Sequence, residues 1–291
     1  MTSDSVIPLS GCPAIIIGSL FTAEVTSEGA VRAFGAKGGF VGAVAHALKV
    51  SGGQPTPIAR LGMDSHGTGI ADALRAAEIT TASLQTDSDL ATGRLVERGN
   101  SLRIEPYAAF DNLQWDADVE AAARSAELIL TDAFGRRHGQ TRSTIDRLLI
   151  AAPTAVRVID LTYRPPAPLS GPDRLDREQV GQALDLCTTL VVDEVALRTL
   201  VPSATSRADG ARRLHASLGA SNAATSCVVL VASANDEGLV VTRGRADPTP
   251  RRSGRRMAGR DALITGAAFL LGASPASLLS DEHLLGEAPT S

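Results

Sequence analysis

The chain has few aromatic residues and few cysteines, and both shortages narrow its range of functions. Aromatic residues make up only 3% of the 291 residues, so platforms that stack nucleic-acid bases are not expected. The three cysteines, Cys12, Cys187 and Cys227, are scattered and have no C-x-x-C spacing. They indicate small buried side chains in a reducing compartment rather than a disulfide framework or a metal site.

The sequence also lacks a strong net charge and a long apolar segment. The formal net charge is −4, which gives no overall attraction to nucleic acid or to a membrane surface. No apolar run reaches the roughly 18 residues of a membrane-spanning helix, and no basic-then-apolar leader opens the chain. The 5 histidines show no metal-ligand spacing. We therefore expect a cytoplasmic protein that binds neither nucleic acid nor membrane.

Short apolar runs alternate with segments of helical spacing along most of the chain. Each apolar run is bounded by Gly, Pro, Asp or Ser, as buried strands usually are. The alternation predicts a mostly parallel sheet covered by helices on both faces, with residues 1–291 forming one domain. Ligands of such sheets bind beyond the carboxyl ends of the strands, where Asp160 and Asp193 would lie. The predicted strands are 14–17, 56–60, 128–131, 156–160, 189–192 and 228–232. The predicted helices are 41–50, 69–77, 119–126, 144–152, 179–186 and 208–218.

A turn near the carboxyl end of the chain carries the clearest chemical signal. Ala258-Gly259-Arg260-Asp261 opens an apolar helix and places one acid at its start. A helix N-terminus binds anions, and an aspartate there could accept the proton of a hydroxyl that attacks a phosphoryl group. The alternative is an acid that only interacts favourably with the helix dipole. The turn thus points to phosphoryl transfer but does not establish it.

Further stretches resemble signatures of the ribokinase-like (PfkB) carbohydrate kinases. Gly62-Met63-Asp64-Ser65-His66-Gly67 resembles the G-x-D-x-x-G signature of this family, and the Asp261 turn resembles its D-T-x-G-A-G-D signature. Asp160-Leu161-Thr162-Tyr163-Arg164-Pro165 is similar to its D-x-N-x-R-P strand end. The resemblance runs from about Ile15 to about Gly272. It implies a ribokinase-like three-layer α/β sandwich with a small β lid, formed by segments 19–34 and 91–112, and a homodimer through that lid.

The resemblance also implies an activity and the residues that perform it. The family transfers the γ-phosphoryl group of ATP, bound with Mg²⁺, to a hydroxyl of a small sugar or nucleoside-like acceptor. Asp261 would be the catalytic base, and the backbone of Ala258, Gly259 and Arg260 would form the anion hole. Residues 246–257 are predicted to form a polar, basic loop. Within it, Arg256 either faces the phosphates of the nucleotide or lies on a solvated surface.

Acceptor-binding residues are implied near the start of the chain. Glu24 would replace the aspartate that grips sugar hydroxyls, unless it is a surface residue. The segment around Gly38 aligns with a glycine pair and asparagine of the family, unless it is only a flexible loop. Phe21 and Phe40 occupy positions of hydrogen-bonding side chains, so we predict that the two rings lie together and either make the acceptor pocket less polar than a ribose site or close it. The predicted acceptor-binding residues are Glu24, Gly35, Lys37, Gly38, Gly39, Phe40 and Arg164.

Several positions depart from the family pattern. Asp193 begins the segment that replaces N-x-x-E and keeps an oxygen ligand for Mg²⁺, but Ala196 removes the glutamate. Ser233 and Gly238 stand in the segment that replaces the T-x-G-x-x-G nucleotide turn. After Gly272 the final helix of the family is not recognisable. These departures leave a second hypothesis open: a non-catalytic protein that keeps the fold, has lost nucleotide chemistry, and acts in binding or regulation.

Overall fold

Strands and helices alternate along the described part of the chain in the order that the apolar runs predict, while the predicted helix 179–186 lies, except for its last two residues, outside the described residues. The computed structural model describes residues 11–27, 30–34, 39–50, 52–98, 101–104, 107–161, 185–221, 227–230, 239–242 and 245–248. The strands are β1 (Pro13–Ile17), β2 (Phe21–Ser27), β3 (Ala30–Phe34), β4 (Gln54–Gly62), β5 (Leu84–Asp87), β6 (Gly93–Arg98), β7 (Ser101–Ile104), β8 (Leu128–Asp132), β9 (Val156–Asp160), β10 (Thr189–Val192), β11 (Cys227–Leu230), β12 (Leu239–Thr242) and β13 (Arg245–Pro248). The helices are α1 (Gly39–Val50), α2 (Ser65–Ala76), α3 (Ala117–Ser125), α4 (Gly139–Ala151), α5 (Glu194–Leu200) and α6 (Arg207–Ser221), with 3₁₀ helices at Ala109–Asn112 and Phe134–Arg136.

Within the described residues, nine strands form a large sheet in the order β13-β12-β11-β10-β9-β8-β1-β4-β5. Neighbouring strands from β11 to β5 are parallel, whereas β12 and β13 run antiparallel at one end. Every predicted strand overlaps a strand of this sheet, so the mostly parallel sheet is confirmed. One correction concerns residues 246–257. Because β13 ends at Pro248, the first three residues of this predicted loop belong to a strand.

Strand β1 lies at the centre of the large sheet and shows why these residues form strands. Its side chains alternate between two hydrophobic clusters. Ala14 and Ile16 pack on one face of the sheet, and Ile15 and Ile17 pack on the other. All four are buried, as expected of a strand with helices on both sides.

Helices cover both faces of the large sheet and complete three layers. α1 and α2 contribute apolar side chains, among them Val44 and Leu74, to the cluster on one face. α3 to α6 contribute to the cluster on the other face, for example through Leu148 and Leu197. This arrangement confirms the predicted α/β sandwich. No helix in the described ranges is long and apolar enough to cross a lipid bilayer.

Four more strands form a separate small sheet in the order β3-β2-β6-β7. They come from the two segments predicted to form a lid, so the prediction of a second small sheet is confirmed. β2 and β6 are parallel and place Phe21 opposite Gly93, while β3 and β7 pair antiparallel on the outer sides. Only Gly18, Ser19 and Leu20 separate β1 from β2. The small sheet therefore starts at the carboxyl end of the large sheet.

The direction in which strands are added reverses at β1. The chain first adds β4 and β5 on one side of β1, and later adds β8, β9 and β10 on the other. Such a reversal leaves a crevice beyond the carboxyl ends of the two central strands, and ligands of open α/β sheets bind in it. In this chain the reversal lies between β1 and β8, so a ligand crevice is expected beyond Ile17 of β1 and Asp132 of β8.

Candidate active site

A buried carboxylate, that of Asp132, organises the crevice between β1 and β8. Its Oδ1 accepts the backbone N–H of Ser19 (3.1 Å), and its Oδ2 accepts the Ser19 hydroxyl (2.9 Å) and the N–H of Gly135 (2.8 Å). The Ser19 hydroxyl in turn accepts the N–H of Phe40 in the first turn of α1 (3.3 Å). One carboxylate thus ties together the exit of β1, the start of α1 and the turn after β8. We call the cluster of Ser19, Asp132 and Gly135 the β1–β8 junction.

Two glycines allow the backbone to come this close to the carboxylate. Gly18 has a φ of +145°, and a Cβ atom there would collide with the carboxylate of Asp132. Gly39 has a φ of +75°, and a Cβ atom there would lie 2.5 Å from the carbonyl oxygen of Ser19. Any larger residue would be strained at either position. Gly39 therefore has a structural role, and its role in acceptor binding stays a prediction.

Burial sets the protonation state of the carboxyl group in the junction. The loss of water raises the pKa of Asp132 to about 6, although the hydrogen bonds from Ser19 and Gly135 act in the opposite direction. The ordinary value for an aspartate is 3.8. At neutral pH the group is mostly ionised, so the junction holds a charge that water does not reach.

An aromatic cluster lies between the small sheet and the turn after β8. The ring centres of Phe21, Phe110 and Phe134 are 6.0 to 6.4 Å apart. All three rings are buried, and Leu95 of β6 packs in the same cluster. Because β2 begins with Phe21, the first residue of the small sheet is packed into this buried cluster.

Phe40 does not belong to this cluster. Its side chain is 1% exposed and lies in the hydrophobic cluster that contains Ile16 and Val41. The prediction that Phe21 and Phe40 lie together beside the acceptor pocket is therefore wrong. Phe40 is the second residue of α1, and its side chain falls on the helix face that packs against the large sheet, so the ring serves the core.

A buried ion pair adjoins the aromatic cluster. Nε and Nη2 of Arg137 donate to Oδ1 and Oδ2 of Asp111 at 2.8 and 2.7 Å. The guanidinium carbon lies 4.9 Å from the ring centre of Phe110 and 4.5 Å from that of Phe134, within the range of cation–π attraction. Asp111 also accepts the N–H of Ala108 (3.0 Å). The pair joins the segment after β7 to the turn after β8.

The G-x-D-x-x-G stretch has a structural role in this protein. Asp64 is the N-cap of α2, and its Oδ1 accepts the N–H of Gly67 (2.8 Å) and the hydroxyl of Thr92 (2.8 Å). Its Oδ2 accepts the N–H of Thr92 (2.7 Å). Gly67 lies against the carbonyl of Gly62, where a side chain would not fit. The motif fastens the start of α2 to the segment that leads into the small sheet.

Asp64→Ala is expected to lower the free energy of unfolding by about 2 kcal/mol, because it removes a helix cap and the bonds to Thr92. Burial raises the pKa of Asp64, but the bonds from Gly67 and Thr92 outweigh it and hold the pKa below 3.8. This stabilisation is therefore present at neutral pH and is lost as the pH falls through the lowered pKa. Urea unfolding at pH 7 measures the change, with the exposed Asp72→Ala on the same helix as a control. Equal losses in the two variants would contradict the role of Asp64.

Asp193 lies where the sequence predicts it, directly after β10 at the carboxyl edge of the large sheet. Its Oδ1 accepts the N–H of Ala196 (2.7 Å) and caps α5. Carboxylate oxygens are suitable ligands for Mg²⁺. In the described part of the chain, no three His, Cys, Asp or Glu side chains are grouped so that they could hold a metal ion. A cation near Asp193 would thus take its other ligands from elsewhere.

Most other predicted site residues lie outside the described residues. Glu24 is an exception, since it lies in β2 and pairs with Ala33 and Val96 of the neighbouring strands. The roles of all these residues stay predictions. The predicted site residues outside the described ranges are Gly35, Lys37, Gly38, Arg164, Ser233, Gly238, Arg256, Ala258, Gly259, Arg260 and Asp261.

Sequence reasoning found neither the β1–β8 junction nor the buried ion pair. The junction does have a signal in the sequence. Asp132 directly follows the apolar run 128–131, and Gly18-Ser19 directly follows the apolar run 14–17. For Arg137 and Asp111 there is no such signal, because the two residues are 26 positions apart and no periodicity connects them.

No protein-family model matches the chain, and a search of curated proteins finds no match. Solved structures, in contrast, resemble it over most of its length. A PfkB protein from Polaromonas sp. JS666 is 20% identical, with a TM-score of 0.70 and coverage of 92% of each chain. Fructokinase with bound ATP from Xylella fastidiosa is 17% identical, with a TM-score of 0.68 and coverage of 94% of this chain and 88% of that chain. Aminoimidazole riboside kinase from Salmonella enterica is 17% identical, with a TM-score of 0.69 and coverage of 93% and 89%.

These similarities define the chain as an α/β protein with the ribokinase-like fold. The predicted resemblance to the PfkB carbohydrate kinases is thus confirmed at the level of the fold. At such low identity the fold does not carry the chemistry with it, because function depends on the residues of the site.

Proposed function

We propose that this chain is a kinase that transfers the γ-phosphoryl group of ATP to a hydroxyl group of a small sugar or nucleoside-like acceptor. The observation that carries the proposal is the similarity of more than nine-tenths of the chain to kinases named for such acceptors, one of them with bound ATP. The crevice at the β1–β8 junction, beside the small sheet, supports it because it is where a fold of this kind binds ligands.

In the proposed reaction, Asp261 accepts the proton of the acceptor hydroxyl while the hydroxyl oxygen attacks the γ-phosphorus. A new oxygen–phosphorus bond forms, the bond between the γ-phosphorus and the β,γ-bridging oxygen breaks, and ADP leaves. The backbone of Ala258, Gly259 and Arg260 stabilises the charge on the transferring group. The similarity of this turn to the family signature supports these roles.

The nucleotide is proposed to lie on the β10 side of the crevice. Asp193 stands at the end of β10, and Ser233 and Gly238 follow β11 in the sequence. Arg256 would face the phosphates. Mg²⁺ would neutralise phosphate charge there, with Asp193 as its protein ligand. One carboxylate fits this ion, because Mg²⁺ usually keeps several waters and binds phosphate oxygens as well.

The acceptor is proposed to lie beyond β1 and β8, beside the small sheet. The rings of Phe21, Phe110 and Phe134 pack together and are buried at this point. A homodimer through the small sheet is also part of the proposal, because in the described residues β3 and β7 are open edge strands that could pair. The residues proposed to bind acceptor hydroxyls are Glu24, Gly35, Lys37, Gly38, Gly39 and Arg164.

Isothermal titration calorimetry with Mg-ATP, Mg-ADP and Mg-GTP is the first experiment on the proposed function. The full chain is expected to bind at least one of these nucleotides. A coupled assay of ADP release then screens pentoses, hexoses and nucleosides as acceptors. Turnover with one of them would establish the acceptor class.

Two results would overturn the proposal. A chain that binds none of the three nucleotides has lost nucleotide chemistry, which is the second hypothesis raised by the sequence. If the chain binds nucleotide but Asp261→Asn releases ADP as fast as the unchanged chain, Asp261 is not the catalytic base.

A further inference from the structure

The described residues fill the crevice beyond β1 and β8 with side chains of the protein itself. Phe21, Phe110 and Phe134 are 2%, 0% and 4% exposed, and both Ser19 and Asp132 are fully buried. A molecule that reaches the ends of these strands must therefore displace Phe21. Since Phe21 is the first residue of β2, this displacement moves the start of the small sheet.

The start of the small sheet is held by the β1–β8 junction. Ser19 lies two residues before Phe21, and both its N–H and its hydroxyl donate to Asp132. The Ser19 carbonyl also accepts the N–H of Val41 in α1 (3.0 Å). Movement of Phe21 away from the crevice therefore strains or breaks the bonds to Asp132 first, because only Leu20 separates the two residues.

We propose that Asp132 is a positioning residue whose charge sets how readily the small sheet separates from the large sheet at the β1–β8 junction. This inference rests on the proposed function in one respect only, namely that the separation gives the acceptor access to the site. In the described residues, the hydrogen-bond partners of the carboxylate are uncharged donors from Ser19 and Gly135. Separation at the junction would let water reach it.

Among the described residues, no basic side chain forms an ion pair with Asp132. Arg136, on the turn that contains Gly135, forms an ion pair with Asp146. Asp160 lies opposite Asp132 in the register of β8 and β9 and is also an acidic residue. Ser19 and the first residues of α1, Gly39 and Phe40, contribute no charge. An ionised Asp132 therefore gains hydration when the junction opens, whereas a protonated Asp132 gains much less.

The sign of the pH dependence follows from the raised pKa of Asp132. The closed junction binds the proton with a pKa of about 6, and the open junction with the ordinary value of 3.8. The fraction of molecules with an open junction therefore rises as the pH increases from 3.8 to 6, and it levels off above pH 6. Between pH 5 and pH 7 these two pKa values give an increase of about tenfold in the open fraction.

Hydrogen–deuterium exchange of the full chain, read by mass spectrometry and corrected for the intrinsic effect of pH, tests this inference. Peptides that contain the amides of Ser19, Phe40 and Gly135 are expected to lose about tenfold in protection between pH 5 and pH 7. Asp132→Asn should abolish this change. Ser19→Ala, which removes one donor to the carboxylate, should move the change to higher pH.

Asp87→Asn is the matched control, because Asp87 is also buried but pairs with Arg60, away from the junction. It should keep the tenfold change in the junction peptides. Protection that is flat from pH 5 to pH 7 in the unchanged chain, or a tenfold change that survives in Asp132→Asn, would overturn the inference. The exchange needs neither acceptor nor turnover, so its result is independent of whether the proposed kinase activity is found.

Discussion

Asp261→Asn is expected to lower kcat by at least about 100-fold and to leave the affinity for nucleotide unchanged. A positioned general base contributes about this much to a rate, and the amide keeps the shape of the side chain while losing its basicity. The measurement is steady-state ADP release with an identified acceptor, together with calorimetry of Mg-ATP binding. Nucleotide affinity that falls as far as kcat would place Asp261 in nucleotide binding instead.

Arg260→Gly separates two roles of the residue before the proposed base. If the guanidinium binds the transferring phosphate, this substitution weakens Mg-ATP binding or lowers kcat. If the side chain only obstructs the anion hole, the glycine restores close backbone approach and raises kcat. An increase in kcat would therefore assign the anion hole to the backbone alone.

Arg137→Ala is expected to lower the free energy of unfolding by about 3 to 5 kcal/mol, because it leaves the buried Asp111 without its cation. The same substitution removes the guanidinium that stacks on Phe110 and Phe134. Urea unfolding at pH 7 measures the loss. We expect most of it to return when Asp111→Leu is added to Arg137→Met, since an apolar pair of similar volume avoids both buried charges.

The control for this ion pair is Arg75→Ala on α2. Arg75 pairs with Asp72, but their side chains are 58% and 64% exposed. Exposed pairs of this kind contribute roughly 0 to 1 kcal/mol, so the control should unfold almost like the unchanged chain. Equal losses for Arg137→Ala and Arg75→Ala would show that the buried pair adds nothing to stability.

The fold could be predicted from the sequence because its signals are local. Apolar runs such as 128–131 and 156–160 are long enough to mark buried strands, and their alternation with helical spacing specifies a parallel sheet. β5 and β12 were not predicted, although β10, which was predicted, is equally short at 4 residues. The resemblance to a known family located the small sheet, which spacing alone did not distinguish from ordinary hairpins.

The candidate site was predicted less completely, because its contacts join residues that are distant in sequence. Ser19 and Asp132 are 113 positions apart, and only the strand order brings them together. Phe40 shows a second limit. Its alignment with a polar residue suggested a pocket, whereas the helix face on which it lies decides that the ring is buried in the core.

The central position of β1 has a consequence for how the protein is made. β1 pairs with β4 on one side, but its other partner, β8, begins only at Leu128. At synthesis rates of about 5 to 20 residues per second, one edge of β1 stays unpaired for roughly 5 to 20 s before β8 has been synthesised. During that time the nascent chain exposes a strand edge that can pair with other chains. Folding of the amino-terminal part therefore depends on contacts that close only after nearly half of the protein has been synthesised.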